Sequence, residues 1–225
     1  MSNAMMRLTV AQEVIQSGVL PIFYHQDLTL AAPLLEASAA GGARVFEWTN
    51  RGPGALRLFE ELRERAVQKK LSLKLGVGSI VDAPTAAAYI NAGAEFVVGP
   101  CLSSAVADVC NRRKVSYVPG CGSVTEINEA HALGCEFVKL FPAAEVGGPS
   151  FVKAVRGPMP WTSVIATGGV DLTIESFRAW FEAGTTALGL GSNLFAKSLL
   201  DARDFKALEQ KMAQALQLAR QARGG

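Results

Sequence analysis

The 225-residue sequence predicts an α/β protein, a (β/α)8 TIM barrel with an extra N-terminal helix and C-terminal helices, and three observations carry that expectation. Eight short apolar runs alternate with helical patterns, which argues for parallel pairing between the strands. Eight such repeats in a chain of this length suit a closed barrel. A glycine that ends a helix and leads straight into a strand recurs four times, as a common register would require. The competing architecture, a doubly wound open sheet, would usually need fewer strands.

In chain order, the segment before residue 18 reads as a helix outside the repeat. Its opening, "MSNAMMRLTV", has no signal-peptide core, and "SNA" before a second Met reads as a tag remnant over residues 1–4, leaving one domain from 5 to 225. "VLPIFYH" (19–25) and "ARVFEWT" (43–49) are the first two strands. "GALRLFEELRERAVQKK" follows with apolar residues three and four apart, the spacing of one helical face. "LSLKLGVG" (71–78), "EFVVGP" (95–100) and "VSYVPG" (115–120) are the next three strands. "EFVKLF" (136–141), "SVIATGG" (163–169) and "TALGLGS" (186–192) complete the eight, and the tail from Asp204 reads as helix. No linker or low-complexity stretch interrupts the series.

The four recurring glycines are Gly42, Gly93, Gly134 and Gly184. Counting five residues on from each gives Glu47, Val98, Lys139 and Gly189, which superposed repeats would place at one height near the C-terminal ends of their strands. Strand side chains alternate, so Cys135, Phe137 and Lys139 are expected on one face, as are Ala43, Val45 and Glu47. Val138 and Leu140 then meet the helices, and Lys139 points into the barrel mouth, where active sites of this fold lie.

Composition narrows the partners. Hydrophobic residues make up 49% and charged ones 19%, enough for a large core. The net charge of +2 is spread without clusters, so neither nucleic acid nor a membrane surface is indicated. No apolar run approaches the roughly 20 residues of a membrane span. Cys101, Cys110, Cys121 and Cys135 form no CxxC pair and only His25 and His131 are present, which makes a Cys/His metal site a poor expectation. Free thiols suggest a cytoplasmic location.

Lys139 is the residue out of place, an amine inside "EFVKLF". Read singly, it could snorkel at a strand end or pair structurally with Glu47. Burial among Phe137 and Phe141 would instead favour the free amine, which attacks a ketone to form a Schiff base. A carboxylate at the same height, Glu47, suits the proton transfers that such a route needs. Lys74, at the start of its strand, serves as a control and reads as structural.

Glycine marks the ends of the last two strands, in "ATGGV" and "GLGS", where barrels of this type often hold an anion on backbone N–H groups. Thr167, Gly168, Gly169, Gly191 and Ser192 are the candidates. Arg51, one short turn beyond Glu47, can hold a carboxylate bidentately. "GVGS" (76–79) and "PGCG" (119–122) read as flexible mouth loops, with Ser79 a substrate contact and Cys121 inert.

The ordered set "FEWTNR", "GVGS", "AGAEFVVGP", "VPGCGSVTE", "FVKLFPA", "ATGGV" and "GLGSNLF" resembles the 2-keto-3-deoxy-6-phosphogluconate / 4-hydroxy-2-oxoglutarate (KDPG/KHG) aldolases over roughly residues 8 to 200. The resemblance implies a class I aldolase that needs no cofactor or metal, acts on a small-molecule keto acid and is usually a homotrimer. It implies Lys139 as the Schiff-base lysine and Glu47 as the general acid/base. Arg51 and Ser79 match the pyruvyl-carboxylate region with Thr167 beside it, and Gly168, Gly169 and Ser192 match the phosphate cradle. Departures are Ser79 where Thr is ordinary, Gly52 where Thr or Asn is ordinary, Ala166 for Pro, "GPC" at 99–101, and His25 near the mouth. They bear on which substrate is used rather than on the reaction type. Outside that resemblance, the residues also suit a phosphosugar isomerase or epimerase using Glu47 as base, or a sugar-phosphate binding protein.

Overall fold

The computed structural model describes residues 3–224. Of the segment read as a tag remnant, residues 1 and 2 lie outside the described residues, and the rest opens helix α1 (Asn3–Ser17). Strands β1 (Val19–Phe23), β2 (Val45–Thr49), β3 (Lys74–Gly78) and β4 (Phe96–Val98) follow, separated by α2 (Leu28–Ala40), α3 (Ala55–Gln68) and α4 (Ala83–Asn91). After α5 (Ser104–Arg113) the fifth strand is divided, into β5 (Ser116–Val118) and β6 (Gly120–Cys121). The remainder is α6 (Val124–Ala132), β7 (Val138–Leu140), α7 (Gly148–Arg156), β8 (Val164–Thr167), α8 (Ile174–Glu182), β9 (Ala187–Leu190), α9 (Lys197–Asp201) and α10 (Phe205–Ala222).

All eight expected strands form and every pairing is parallel, in the order β5-β4-β3-β2-β1-β9-β8-β7-β6. The two ends of that order are halves of one strand, so the sheet closes on itself. The break falls at Pro119, which has no N–H to give a ladder. Its carbonyl still accepts from Lys139 N at 2.8 Å, and the ring continues across it. A closed ring has no edge strand from which Lys139 could reach solvent.

Two apolar layers separate inside from outside. The inner cluster contains Leu20, Val45, Val98 and Ile165 from the strands, Phe137 just before β7, and Val10 and Val14 of α1. Helix α1 therefore plugs the N-terminal end of the barrel. Arg7 secures it there by donating to Glu136 Oε1 (2.6 Å), Asn111 Oδ1 (2.9 Å) and the Gly134 carbonyl (2.6 Å). Val138 and Leu140 join the outer cluster under the helices, as alternation requires. The alternation does not reach back to Ala43 and Cys135, which were expected on the inner face. Both pack in the outer cluster, because the regular strands begin only at Val45 and Val138. Helix α10 follows the short α9 and packs between α8 and α2, completing the helical ring.

The four helix-stop glycines have φ of 98°, 94°, 76° and 96° at Gly42, Gly93, Gly134 and Gly184. At each, the next N–H bonds back to the fifth carbonyl before it, for example Cys135 N to Ala130 O at 3.1 Å. Each helix is thus ended by the same left-handed turn, which only glycine adopts without strain. That shared geometry is what puts Glu47 and Lys139 at one level.

Candidate active site

At the C-terminal end of the barrel a cavity of about 500 Å³ is lined by all nine residues expected from sequence: Glu47, Arg51, Ser79, Lys139, Thr167, Gly168, Gly169, Gly191 and Ser192. Lys139 occupies the middle of β7, in register with Gly120 on one side and Ile165 on the other. Glu47 lies in β2 between Ile22 and Gly76. The two side chains meet across the barrel, Lys139 Nζ standing 3.7 Å from Glu47 Oε1. That is an ion-pair distance but too long for a hydrogen bond. Glu47 is fully buried, and Lys139 is 8% exposed. The amine also lies 5.2 Å from the centroid of the Phe141 ring, which is itself partly exposed at the mouth.

Neither carboxylate oxygen of Glu47 has a hydrogen-bond partner among the described residues. Burial pushes its pKa up, against the opposing pull of Lys139 and then Arg51. The room for this side chain comes from β3. A Cβ added at Gly78 would collide with Glu47 Oε1 and lie 2.5 Å from its Cδ, and one at Gly76 would lie 2.5 Å from the Phe96 ring. "GVGS" is therefore not a flexible loop up to Gly78. Its two glycines are strand residues whose missing side chains leave space for Glu47 and Phe96.

Ser79 follows directly, with φ of 61°, a conformation that costs a branched residue more than serine. Arg51 is exposed beyond β2 and makes no ion pair or hydrogen bond among the described residues, which leaves its guanidinium free for a ligand. Thr167 ends β8 with its Oγ1 buried and unpartnered. Opposite it stands Gly189, where any Cβ would collide with that hydroxyl. The N–H groups of Gly168, Gly169 and Ser192 donate to no acceptor among the described residues. Two loops thus present free donors to the same cavity, an arrangement that suits an anion.

Some expectations need correcting. Cys121 does not sit in an open mouth loop; it ends β6, buried, and burial pushes its thiol up to about 12. A thiol in that state is inert. His25 lies beside the mouth without lining the cavity: its Nδ1 accepts the Asp27 N–H at 3.1 Å, and its ring stacks on Phe23. Lys74, the control, heads β3 and pairs with Glu95 at 3.2 Å on the opposite side of the barrel's length. Tyr24, Thr49, Asn193 and Phe195 are among the lining residues that sequence reading passed over. Alternation from Glu47 would have found Thr49, whereas the other three lie on turns whose direction no periodicity gives.

Among the described residues no helix is long and apolar enough to cross a membrane, and no group of three or more His, Cys, Asp or Glu is placed to hold a metal ion.

Comparison with known proteins agrees with this geometry. The family described as KDPG and KHG aldolase matches residues 10–211. The chain is 30% identical to the 2-dehydro-3-deoxy-phosphogluconate aldolase of Pseudomonas aeruginosa, covering 90% of this chain and 89% of that protein. It is 26% identical to the KHG/KDPG aldolase of Escherichia coli, covering 94% and 97%. Among solved structures, the KDPG aldolase of Legionella pneumophila superposes with a TM-score of 0.81 at 25% identity, over 90% of this chain and 96% of that one. In that crystal, pyruvate was captured as a covalent carbinolamine intermediate. With its closed barrel and its facing lysine and glutamate, the chain belongs to the KDPG and KHG aldolase family and is a carbon–carbon lyase of the class I aldolase type.

Proposed function

We propose that this enzyme reversibly cleaves a 2-keto-3-deoxy-6-phospho sugar acid, or an acid like 4-hydroxy-2-oxoglutarate, to pyruvate and an aldehyde, glyceraldehyde 3-phosphate or glyoxylate. Lys139 is the nucleophile. Its Nζ adds to the C2 ketone, and loss of water from the carbinolamine gives an iminium ion. Glu47 takes the proton of the C4 hydroxyl while the C3–C4 bond breaks. The bonding electrons move into the iminium as an enamine, and the aldehyde departs. Protonation at C3 and hydrolysis then release pyruvate and restore the amine.

The observation that carries this reading is the 3.7 Å approach of Lys139 to a buried Glu47 whose oxygens have no other partner. A carboxyl group raised above its ordinary value is suited to giving a proton back as well as taking one. Arg51 holds the substrate carboxylate, with Ser79 and Thr167 offering hydroxyls beside it. Gly168, Gly169, Gly191 and Ser192 receive a terminal phosphate or carboxylate. The imine supplies the electron sink, so the route needs no metal or organic cofactor.

Borohydride reduction with pyruvate tests the mechanism: a pyruvyl adduct on Lys139, found by peptide mass spectrometry, is expected. Turnover that persists in Lys139→Met without any adduct would support the isomerase or epimerase alternative, with Glu47 acting alone. A panel of keto-deoxy acids with and without the terminal phosphate identifies the substrate. We further read residues 5–225 as one domain of a cytoplasmic homotrimer, which light scattering on the purified protein checks.

A further inference from the structure

We propose that Asn193 is the positioning residue that fastens the two glycine loops into one anion-binding surface. This rests on the aldolase reading above and adds how the distal half of the site is held. The β8–β9 ladder ends where Thr167 pairs with Gly189, and no backbone hydrogen bond joins the two loops beyond it among the described residues. Asn193 bridges that gap. Its Nδ2 donates to the Val170 carbonyl at 2.7 Å and to Asp171 Oδ1 at 3.4 Å. These are the only side-chain hydrogen bonds linking the two loops among the described residues. Its own loop is a tight turn, with Leu194 N and Phe195 N both donating to Gly191 O at 3.0 Å. Asp171 is anchored in turn, its N–H donating to Ser176 Oγ at 3.1 Å.

The chemistry of the amide explains why asparagine serves here. Two N–H donors on one nitrogen satisfy a carbonyl and a carboxylate together, which neither a hydroxyl nor an acid can do. The bridge also engages the Asp171 carboxylate, which lies outside the cavity lining while Asn193 lies within it. Glycine-rich loops lose much conformational freedom when they close on a ligand, and a bridge already in place removes part of that cost.

The test separates the two halves of the site. In Asn193→Ala the KM for the 6-phosphorylated keto acid and the inhibition constant of inorganic phosphate should both rise about 3- to 10-fold, the range for one lost hydrogen bond. The pyruvate concentration that half-saturates borohydride trapping on Lys139 should not change. Asn193→Asp, which sets a second carboxylate against Asp171, should weaken phosphate further, and the paired change N193D/D171N should recover part of the loss. Equal weakening of phosphate and pyruvate, or of neither, overturns the proposal. So does failure of inorganic phosphate to inhibit the unaltered enzyme. Failure of the aldolase reading looks different: no adduct forms on Lys139 of the unaltered chain.

Discussion

Among the described residues the barrel sets two buried glutamates, Glu95 and Glu47, beside lysines, and the two pairs are built to opposite ends. At its base Glu95 accepts from Leu75 N (3.0 Å), Lys74 Nζ (3.2 Å) and Arg63 Nη1 (3.3 Å). Every oxygen of that carboxylate has a partner, so its charge is matched where it is buried. At the mouth Glu47 has one cation at 3.7 Å and no hydrogen bond, and burial raises its pKa. A satisfied buried pair contributes to holding the fold, whereas an unsatisfied one costs stability and keeps its groups available. Active sites retain such arrangements because a proton or a bond must still form there. Both pairs set a buried glutamate beside a lysine; the count of hydrogen bonds to the carboxylate separates them.

The sharpest way to break the comparison is to remove each lysine. Lys139→Met should abolish the pyruvate adduct and lower kcat by about 10⁴-fold or more, as loss of a covalent nucleophile does. Lys74→Met should leave the adduct intact and lower the thermal midpoint. The glutamates come next. Glu47→Gln should lower kcat by about 10²- to 10⁴-fold with little loss of stability. Glu95→Ala should instead cost about 3 kcal/mol in urea unfolding, because three donors lose their acceptor, and should leave the steady-state mechanism unchanged.

A smaller effect is expected at Gly78→Ala, whose new methyl displaces Glu47 from its slot. Steady-state kinetics should show kcat falling about 10²-fold, with about 1–3 kcal/mol of overpacking cost in stability. The smallest effect is the pH dependence. Glu47 binds its proton more tightly folded than unfolded, so between its ordinary value near 4.5 and its raised folded value the native state holds the extra proton. Stability from this group is therefore fully present below about 4.5 and is lost as pH rises through the folded value. Thermal midpoints of Glu47→Gln should gain on the parent over that rise, and a parallel pair of curves would contradict it.

Much of this was legible in the sequence for identifiable reasons. Glycine after a helix imposes a left-handed turn wherever it occurs, so four such glycines marked one register without coordinates. Period-two alternation then assigned Lys139 to the inside and Val138 and Leu140 to the helices. The same rule failed at Ala43 and Cys135, since alternation holds only where the ladder has begun. It also failed to show that the fifth strand divides at Pro119, and residues 76–78 read both as the end of the third strand and as part of a flexible loop, of which the strand is what forms. What stands across the barrel decides both places: the Lys139 N–H that the Pro119 carbonyl accepts, which carries the ring over the break, and Glu47 and Phe96 opposite the glycines.

The sequence by itself determined the alternation of strands and helices, the inward lysine, its shared height with Glu47, and the two glycine loops. Each follows from local stereochemistry and a fixed rise per residue. Only the tertiary structure decided that Glu47 lies unpartnered beside Lys139, that Gly78 leaves it room, and that Asn193 ties the two loops together. Distances between residues far apart in the chain are set by barrel closure, and closure is a property of the whole ring.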